Sequence, residues 1–176
     1  MKKQYLPDLL SGKKIGACGL TEPSSGSDAA GMKTFAEKKG NKFILNGSKN
    51  FITHGFYGET SVIMAITDKN AGKHGISAFV LEQGMPGFIV RKKENKLGMR
   101  ACETTQLTFE NCEVSEENLI GKEGEGFIQA MQILEGGRIS IAALSLGLVQ
   151  GCLIESLKYS QEREQFGGPL SAFQAT

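Results

Sequence analysis

Tryptophan is absent from the 176 residues, and proline (4), tyrosine (3) and histidine (2) are scarce. His54 and His74 each stand beside a glycine in an expected loop, which argues against the positioned histidine of a nucleophilic triad. The four cysteines, Cys18, Cys102, Cys112 and Cys152, are far apart and form no Cys-x-x-Cys pair. That spacing excludes a zinc ribbon or a dithiol centre and predicts reduced, buried thiols, so no metal site is expected. Charge of one sign is also missing: the formal net charge is +1, giving no field to gather nucleic acid or an anionic membrane. The basic cluster Arg91-Lys92-Lys93, with Lys96, is broken by Glu94 and is expected to be a solvated turn or strand end. No unbroken apolar run reaches about 20 residues, and Lys2-Lys3 is not followed by an apolar stretch. A soluble chain with no export signal and neither nucleic acid nor membrane as partner is therefore expected. Without Gly-Lys-[Ser/Thr] there is no Walker loop.

What remains is ordinary globular material, 40% hydrophobic and 22% charged, enough for one domain with a core and appended helices. Residues 4–11 read as the end of a helix closed by Gly12. From Ile15 to Thr108 the chain turns to short β-rich runs punctuated by glycine. Phe35–Lys38 and Lys42–Leu45 read as strands about a Lys39-Gly40-Asn41 turn, and Asn46-Gly47 predicts a second hairpin before Ser48–Thr53. Val62–Thr67 and Ile76–Leu81 are near-continuous apolar runs suited to strands covered on both faces. Phe88–Val90 and Thr105–Phe109 complete the set. Near Gly124 the period changes: Phe127, Met131, Leu134, Arg138, Ile141, Ser145, Leu148 and Cys152 mark one face of a long helix from Glu125 to Arg163. Gly136-Gly137 is a place where that helix could kink or split.

The fold expected is mainly β with flanking α: an antiparallel β-barrel or two-sheet sandwich over residues 13–120, then a long helix of an incomplete helical bundle over 121–176. Residues 1–12 end a preceding helical domain. No second complete helix follows, so the chain reads as an excised piece of a longer protein, self-associating through its apolar helix or folding it back in a non-family position, and loose beyond Gln165.

Three segments carry possible chemistry. Leu20-Thr21-Glu22-Pro23-Ser24-Ser25-Gly26-Ser27-Asp28 offers backbone N–H groups and hydroxyls that can hold a phosphate or a polar ring edge, although on composition alone a polar β-turn is the plainer reading. In Lys49-Asn50-Phe51-Ile52-Thr53-His54-Gly55, alternation puts Phe51 and Thr53 on one face and Ile52 on the other. An aromatic beside a hydroxyl can stack on a flat cofactor; the plainer reading is a strand. Arg138, on the helix stripe, needs either an anionic ligand or an ion pair with Glu135 one turn away.

Together these segments resemble the acyl-CoA dehydrogenase family along essentially the whole chain. Residues 20–28 look like its flavin loop, and Asn46-Gly47-Ser48-Lys49-Asn50-Phe51-Ile52-Thr53 like its second flavin segment. Lys96-Leu97-Gly98-Met99-Arg100, Thr104 and Leu107-Thr108-Phe109-Glu110 are similar to its later barrel strands. Gly124-Glu125-Gly126-Phe127 to Arg138 resembles the start of its C-terminal bundle, and Arg163-Glu164-Gln165-Phe166-Gly167 the stretch reaching a neighbouring subunit's FAD. The resemblance implies that Leu20, Thr21, Phe51 and Thr53 line the isoalloxazine, with Cys18 and Ile52 also at the cofactor. Gly26 and Ser27 would approach the pyrophosphate. Arg163, Phe166 and Gln174 would meet FAD held by another protomer, and Ser27, Glu135 and Arg138 the CoA portion of the substrate. Ser25, His54, Cys102 and Ser115 depart from the residues usual at their positions.

The implied parent is an FAD-dependent oxidoreductase converting acyl-CoA thioesters to trans-2-enoyl-CoA. Electrons would pass to an electron-transferring flavoprotein, in a homotetramer or homodimer, cytoplasmic in a bacterium or in the mitochondrial matrix of a eukaryote. The family removes the α proton with a Glu, in most members beyond the stretch matched here and in a minority just before the arginine. That second position is Gly137, so no catalytic residue is expected in this chain and the isolated chain is expected to be inactive. Two rivals stay open: an acyl-CoA oxidase or flavin-dependent hydroxylase of the same architecture, and a short non-catalytic β-barrel module.

Overall fold

The computed structural model describes residues 1–174. The chain divides into two compact units, Met1–Ala130 and Met131–Thr176. The first opens with α1 (Lys2–Leu10), whose end is closed by the N–H groups of Ser11 and Gly12 turning back to Pro7 and Leu9. Seven strands follow: β1 (Gly16–Gly19), β2 (Phe35–Lys39), β3 (Lys42–Thr53), β4 (Thr60–Ile66), β5 (Ile76–Glu82), β6 (Phe88–Lys93) and β7 (Thr104–Ser115). They form one mixed sheet in the order β1-β4-β2-β3-β7-β6, with β5 also on β4. The expected β-rich domain is present, curled into a half-barrel. Most pairings are antiparallel, but β1 and β2 both run parallel to β4. The β2–β3 hairpin lies between β1 and β4 in the chain, which makes a crossover, and hence parallel pairing, possible.

The core is built from inward residues of these strands: Phe43, Leu45, Ile52, Ile63, Ala65, Phe79, Leu81, Leu107, Phe109, Cys112 and Val114. Phe43 and Phe79 meet edge to face at 4.9 Å. The two apolar runs behave as read, β5 being buried at every position but its last. Its free side is covered by the chain after β7: Leu119 bridges to Phe79, and the Ile120 N–H donates to the Ala78 carbonyl at 2.8 Å. Covering an edge in this way removes a site of non-specific strand pairing.

Asn46-Gly47 is not a hairpin. It lies inside β3, which continues for 12 residues. The true two-residue turn is Gly40-Asn41, joining β2 to β3, with Gly40 at φ 63. The left-handed freedom of Gly47 (φ 140) serves an irregularity instead: Leu45 pairs with Cys112 but Gly47 with Phe109, so β7 carries one residue more. Asn111 (φ 51) is left over there and pairs with Asn46, whose Oδ1 accepts the Asn111 N–H at 2.8 Å. A Cβ at Gly47 would stand 2.7 Å from Thr34 Cα, so only glycine fits. Cross-strand packing on both sides of β3 overrode a strong local turn signal.

The cysteine expectation is corrected. All four are free, but only Cys112 is buried; Cys18 and Cys152 are exposed and Cys102 lies between. Cys112 occupies an inward β-position, whereas Cys152 sits on a helix with no covering partner among the described residues. Arg91, Lys92 and Lys93 are, as expected, the exposed end of β6, whereas Lys96 lies beyond it, half-buried, with its ammonium donating to Thr104 Oγ1 at 3.1 Å.

Helix α2 (Gly126–Glu162) is continuous for 37 residues, about 55 Å, with Gly136-Gly137 leaving it unbroken. Its apolar surface is wider than the stripe read from the sequence. Ile139, Ile154 and Leu157 point well away from that stripe and are exposed, as are Ile133, Ile141, Leu144 and Leu148. A helix apolar all round is the kind that protein or lipid covers fully. By length and composition alone α2 is also apolar enough to cross a membrane, which corrects the absence of such a segment; Ser140, Ser145, Gln150 and the glycines hid it by interrupting the run. Beyond it the described residues, as far as Gln174, are not loose; the last two positions of that expectation lie outside the described residues. β8 (Glu164–Gln165) and β9 (Gly168–Pro169) form a hairpin about Phe166 (φ 52) and Gly167 (φ 83). Two successive positive-φ residues suit the right-handed twist of a short ribbon.

Candidate functional site

The first two chemical segments meet. Loop 20–28 leaves β1 and runs beside β3, where the Asn50 N–H donates to the Thr21 carbonyl at 2.8 Å. Below that contact lies Lys49, an ammonium with 0% side-chain exposure. It donates to Glu22 Oε1 at 2.7 Å and to the Leu20 carbonyl at 3.1 Å, with Met32 Sδ at 3.7 Å. The same Glu22 carboxylate accepts the N–H groups of Lys33 (2.6 Å) and Thr34 (3.0 Å). One buried ion pair therefore ties together the chain at 20, 22, 33–34 and 49. Close packing of β1 makes room for it: a Cβ on Gly19 would stand 3.1 Å from Lys49 Cγ and 2.7 Å from Ile63 Cδ1.

The electrostatics follow from this burial. Burial by itself would push the Glu22 carboxyl up, but the Lys49 ammonium and the N–H donors outweigh it and hold the group below its ordinary value. For Lys49, burial dominates and pulls the ammonium below its ordinary value despite the carboxylate beside it.

Between Lys49 and Ile52 the strand spends one residue more than β7 does between Leu107 and Thr105. This bulge turns Lys49 inward and leaves Phe51 at φ 56 with 62% exposure. A left-handed aromatic is strained and persists only where the surroundings hold it. Phe51 and Thr53 are exposed and Ile52 is buried in the core, as alternation indicated. Ile52 consequently offers a ligand its main chain but not its side chain, because that side chain packs in the core. Leu20 and Thr21 are half-buried; Gly26, Ser27 and Cys18 are exposed. The loop is braced internally, with Glu22 and Ser25 exchanging backbone hydrogen bonds and Ser25 Oγ donating to the Asp28 carbonyl. A Cβ at Gly26 would meet nothing within 4 Å, so its backbone is open to an approaching ligand.

Glu103 is a second buried carboxylate absent from the sequence reading. It accepts the N–H groups of Phe56 (3.3 Å) and Tyr57 (3.2 Å), and its carbonyl takes the His54 N–H at 3.1 Å, fixing the turn after β3. A lysine in a strand of inward apolar residues signals that an acid partner exists but not which one, and Glu22 lies 27 positions away.

The remaining candidates lie in the second unit. Glu135 and Arg138 are exposed on α2, and among the described residues no ion pair joins them. Arg138 borders a shallow groove with Leu134, Gly137, Ile141 and Ala142. Arg163 accepts the Leu170 N–H through its carbonyl at 2.9 Å, closing the terminal hairpin. Phe166 stands exposed at the hairpin tip, edge-on to Phe173, and Gln174 lies just beyond at φ 50. Among the described residues no cluster of His, Cys, Asp or Glu could hold a metal ion.

Residues 17–112 match the family described as acyl-CoA dehydrogenase, middle domain, and residues 124–176 match acyl-CoA dehydrogenase, C-terminal domain. The chain belongs to the acyl-CoA dehydrogenase family. It is 51% identical over 173 residues to a short-chain-specific acyl-CoA dehydrogenase of Clostridium acetobutylicum, covering 98% of this chain and 46% of that protein. It is similar to the solved butyryl-CoA dehydrogenase of Megasphaera elsdenii, with TM-score 0.94 and 47% identity over 98% of this chain and 45% of that one. A chain in a structure of the electron transferring flavoprotein of Acidaminococcus fermentans aligns with TM-score 0.93 and 55% identity, covering 98% and 46%. The chain thus spans about half the length of the curated relatives it matches.

Proposed function

We propose that this chain supplies part of the FAD site and part of the CoA site of an acyl-CoA dehydrogenase, which converts acyl-CoA thioesters to trans-2-enoyl-CoA. The observation carrying this is the junction of loop 20–28 with the β3 bulge: an exposed, left-handed Phe51 stands beside Thr53 and a loop rooted on a buried ion pair. A flat aromatic face, nearby hydroxyls and an open glycine backbone are the donor set a flavin and its pyrophosphate require. FAD, when bound, supplies the acceptor for the β hydrogen.

In this assignment Leu20 and Phe51 line the ring, Thr21 and Thr53 bond its polar edge, and Gly26 and Ser27 approach the pyrophosphate. Cys18 and the Ile52 main chain complete the wall. Arg163, Phe166 and Gln174 serve FAD of another protomer in a homo-oligomer, and Ser27, Glu135 and Arg138 hold the CoA portion. We assign residues 13–120 to the flavin-binding middle domain, 1–12 to the end of a preceding helical domain and 121–176 to a helical domain. The shell of α2 is covered by other helices of that domain rather than by lipid. Electrons pass to an electron-transferring flavoprotein, and the compartment follows the host: cytoplasm in a bacterium, mitochondrial matrix in a eukaryote.

No residue here is assigned as the base. Position 137, just before Arg138, is glycine. General-base catalysis contributes about 10²–10⁴-fold, so the isolated chain is expected to show no turnover of butyryl- or octanoyl-CoA with FAD and an electron-accepting dye. Clear turnover would overturn that assignment. The flavin site itself is tested by titrating FAD with the chain: quenching of flavin fluorescence is expected, and unchanged emission refutes the site.

A further inference from the structure

We propose that Lys49 is a positioning residue for the flavin loop: its ammonium, paired with Glu22, sets where the Leu20 carbonyl and the Thr21 main chain stand beside Phe51. The inference rests on the flavin reading above and adds to it a residue that no ring contact requires. An ion pair this deeply buried is weak evidence of stability, because apolar residues of similar volume hold a fold as well. What apolar residues cannot do is grip a carbonyl. Lys49 Nζ holds the Leu20 oxygen at 3.1 Å and Glu22 Oε1 at 2.7 Å, on either side of Thr21. The next residue of β3, Asn50, takes the Thr21 carbonyl. Three consecutive loop residues are thus fixed from two consecutive strand residues, and the one after those is Phe51 in its left-handed conformation. The inward pull on Lys49 and the outward turn of Phe51 are the two sides of one bulge.

The test compares the wild-type chain with Glu22→Gln/Lys49→Met. This double variant removes both charges and keeps one amide oxygen in place of the two carboxylate oxygens that take the Lys33 and Thr34 N–H groups, while losing the grip on Leu20. Two quantities are read: FAD affinity by fluorescence quenching, and amide hydrogen exchange of Glu22, Ser25 and Asn50 without FAD. The variant is expected to unfold cooperatively, bind FAD about tenfold more weakly and exchange those amides about tenfold faster, the scale of one lost charge-assisted hydrogen bond. Wild-type exchange rates overturn the proposal, and so does wild-type affinity. If the wild-type chain does not quench FAD, the flavin reading fails separately, and exchange alone decides whether Lys49 sets the loop. Should the double variant not fold, Lys49→Arg keeps the charge but changes its reach, and is expected to move both readouts in the same direction; unchanged values there overturn the proposal.

Discussion

Glu22→Gln removes one charge from a pair whose side chains are 0% and 3% exposed. The amide keeps one acceptor oxygen where the carboxylate used both, Oε2 for the Lys33 N–H and Oε1 for the Thr34 N–H, so one backbone acceptor is lost together with the counter-charge 2.7 Å from Lys49. Leaving one member of a buried pair uncompensated costs about 3–5 kcal/mol. A ceiling comes from the lysine itself, which escapes by losing its proton. Neutralising an amine of ordinary value 10.5 at pH 7 costs about 4.8 kcal/mol at roughly 1.36 per pH unit, and burial already holds Lys49 below that value. A loss of about 3–4 kcal/mol at pH 7 is therefore expected, a large share of the roughly 5–15 kcal/mol that keeps a domain folded. The measurement is urea denaturation followed by circular dichroism, with a lowered midpoint and an unchanged slope. The pH dependence follows the same reasoning. Glu22 is held below its ordinary 4.5, so the folded chain binds fewer protons there than the unfolded chain. Its contribution is fully present above about pH 4.5 and is lost as pH falls through the lower folded value. The variant should lack that acid limb, and its deficit should shrink towards pH 10 as the amine becomes neutral. A deficit under about 1 kcal/mol, or one independent of pH from about 5 to 9, would refute a charge-compensated Lys49.

Gly47→Ala places a side chain at φ 140 and 2.7 Å from Thr34 Cα, and should cost more than about 2 kcal/mol by denaturation; a neutral result would remove the bulge argument. Phe51→Ala should change stability by less than about 0.5 kcal/mol, since the ring is exposed, yet weaken FAD binding several-fold in the quenching titration. Burial pushes the Cys112 thiol up to about 11 and raises the Cys18 thiol as well, so alkylation of the folded chain at pH 8 followed by mass spectrometry should mark the exposed Cys152 first and Cys112 last.

Most elements could be read locally, because period and turn chemistry are local properties. Short β-rich and apolar runs bounded by glycine identified the strands, and a period of three to four identified α2. Asn46-Gly47 misled because the same left-handed freedom serves a turn or a bulge, and only pairing with β2 and β7 selects the bulge. The width of the apolar surface on α2 was missed because a stripe was sought, and a stripe was found inside a larger shell.

The candidate site divides along the same line. The residues proposed to face the ring, Leu20, Thr21, Phe51 and Thr53, were named from the resemblance and from alternation, and they sit where one strand end meets one loop. The residues that hold that meeting together could not be named that way. Lys49 and Glu22 are 27 positions apart, and Glu103 lies some 46 beyond the turn it braces. The sequence by itself determined which side chains are available and which way they alternate, since both depend on neighbouring residues. Only the tertiary structure decided which buried charges neutralise each other, because a lysine taken out of water is tolerable only where the fold delivers a carboxylate to within hydrogen-bonding distance.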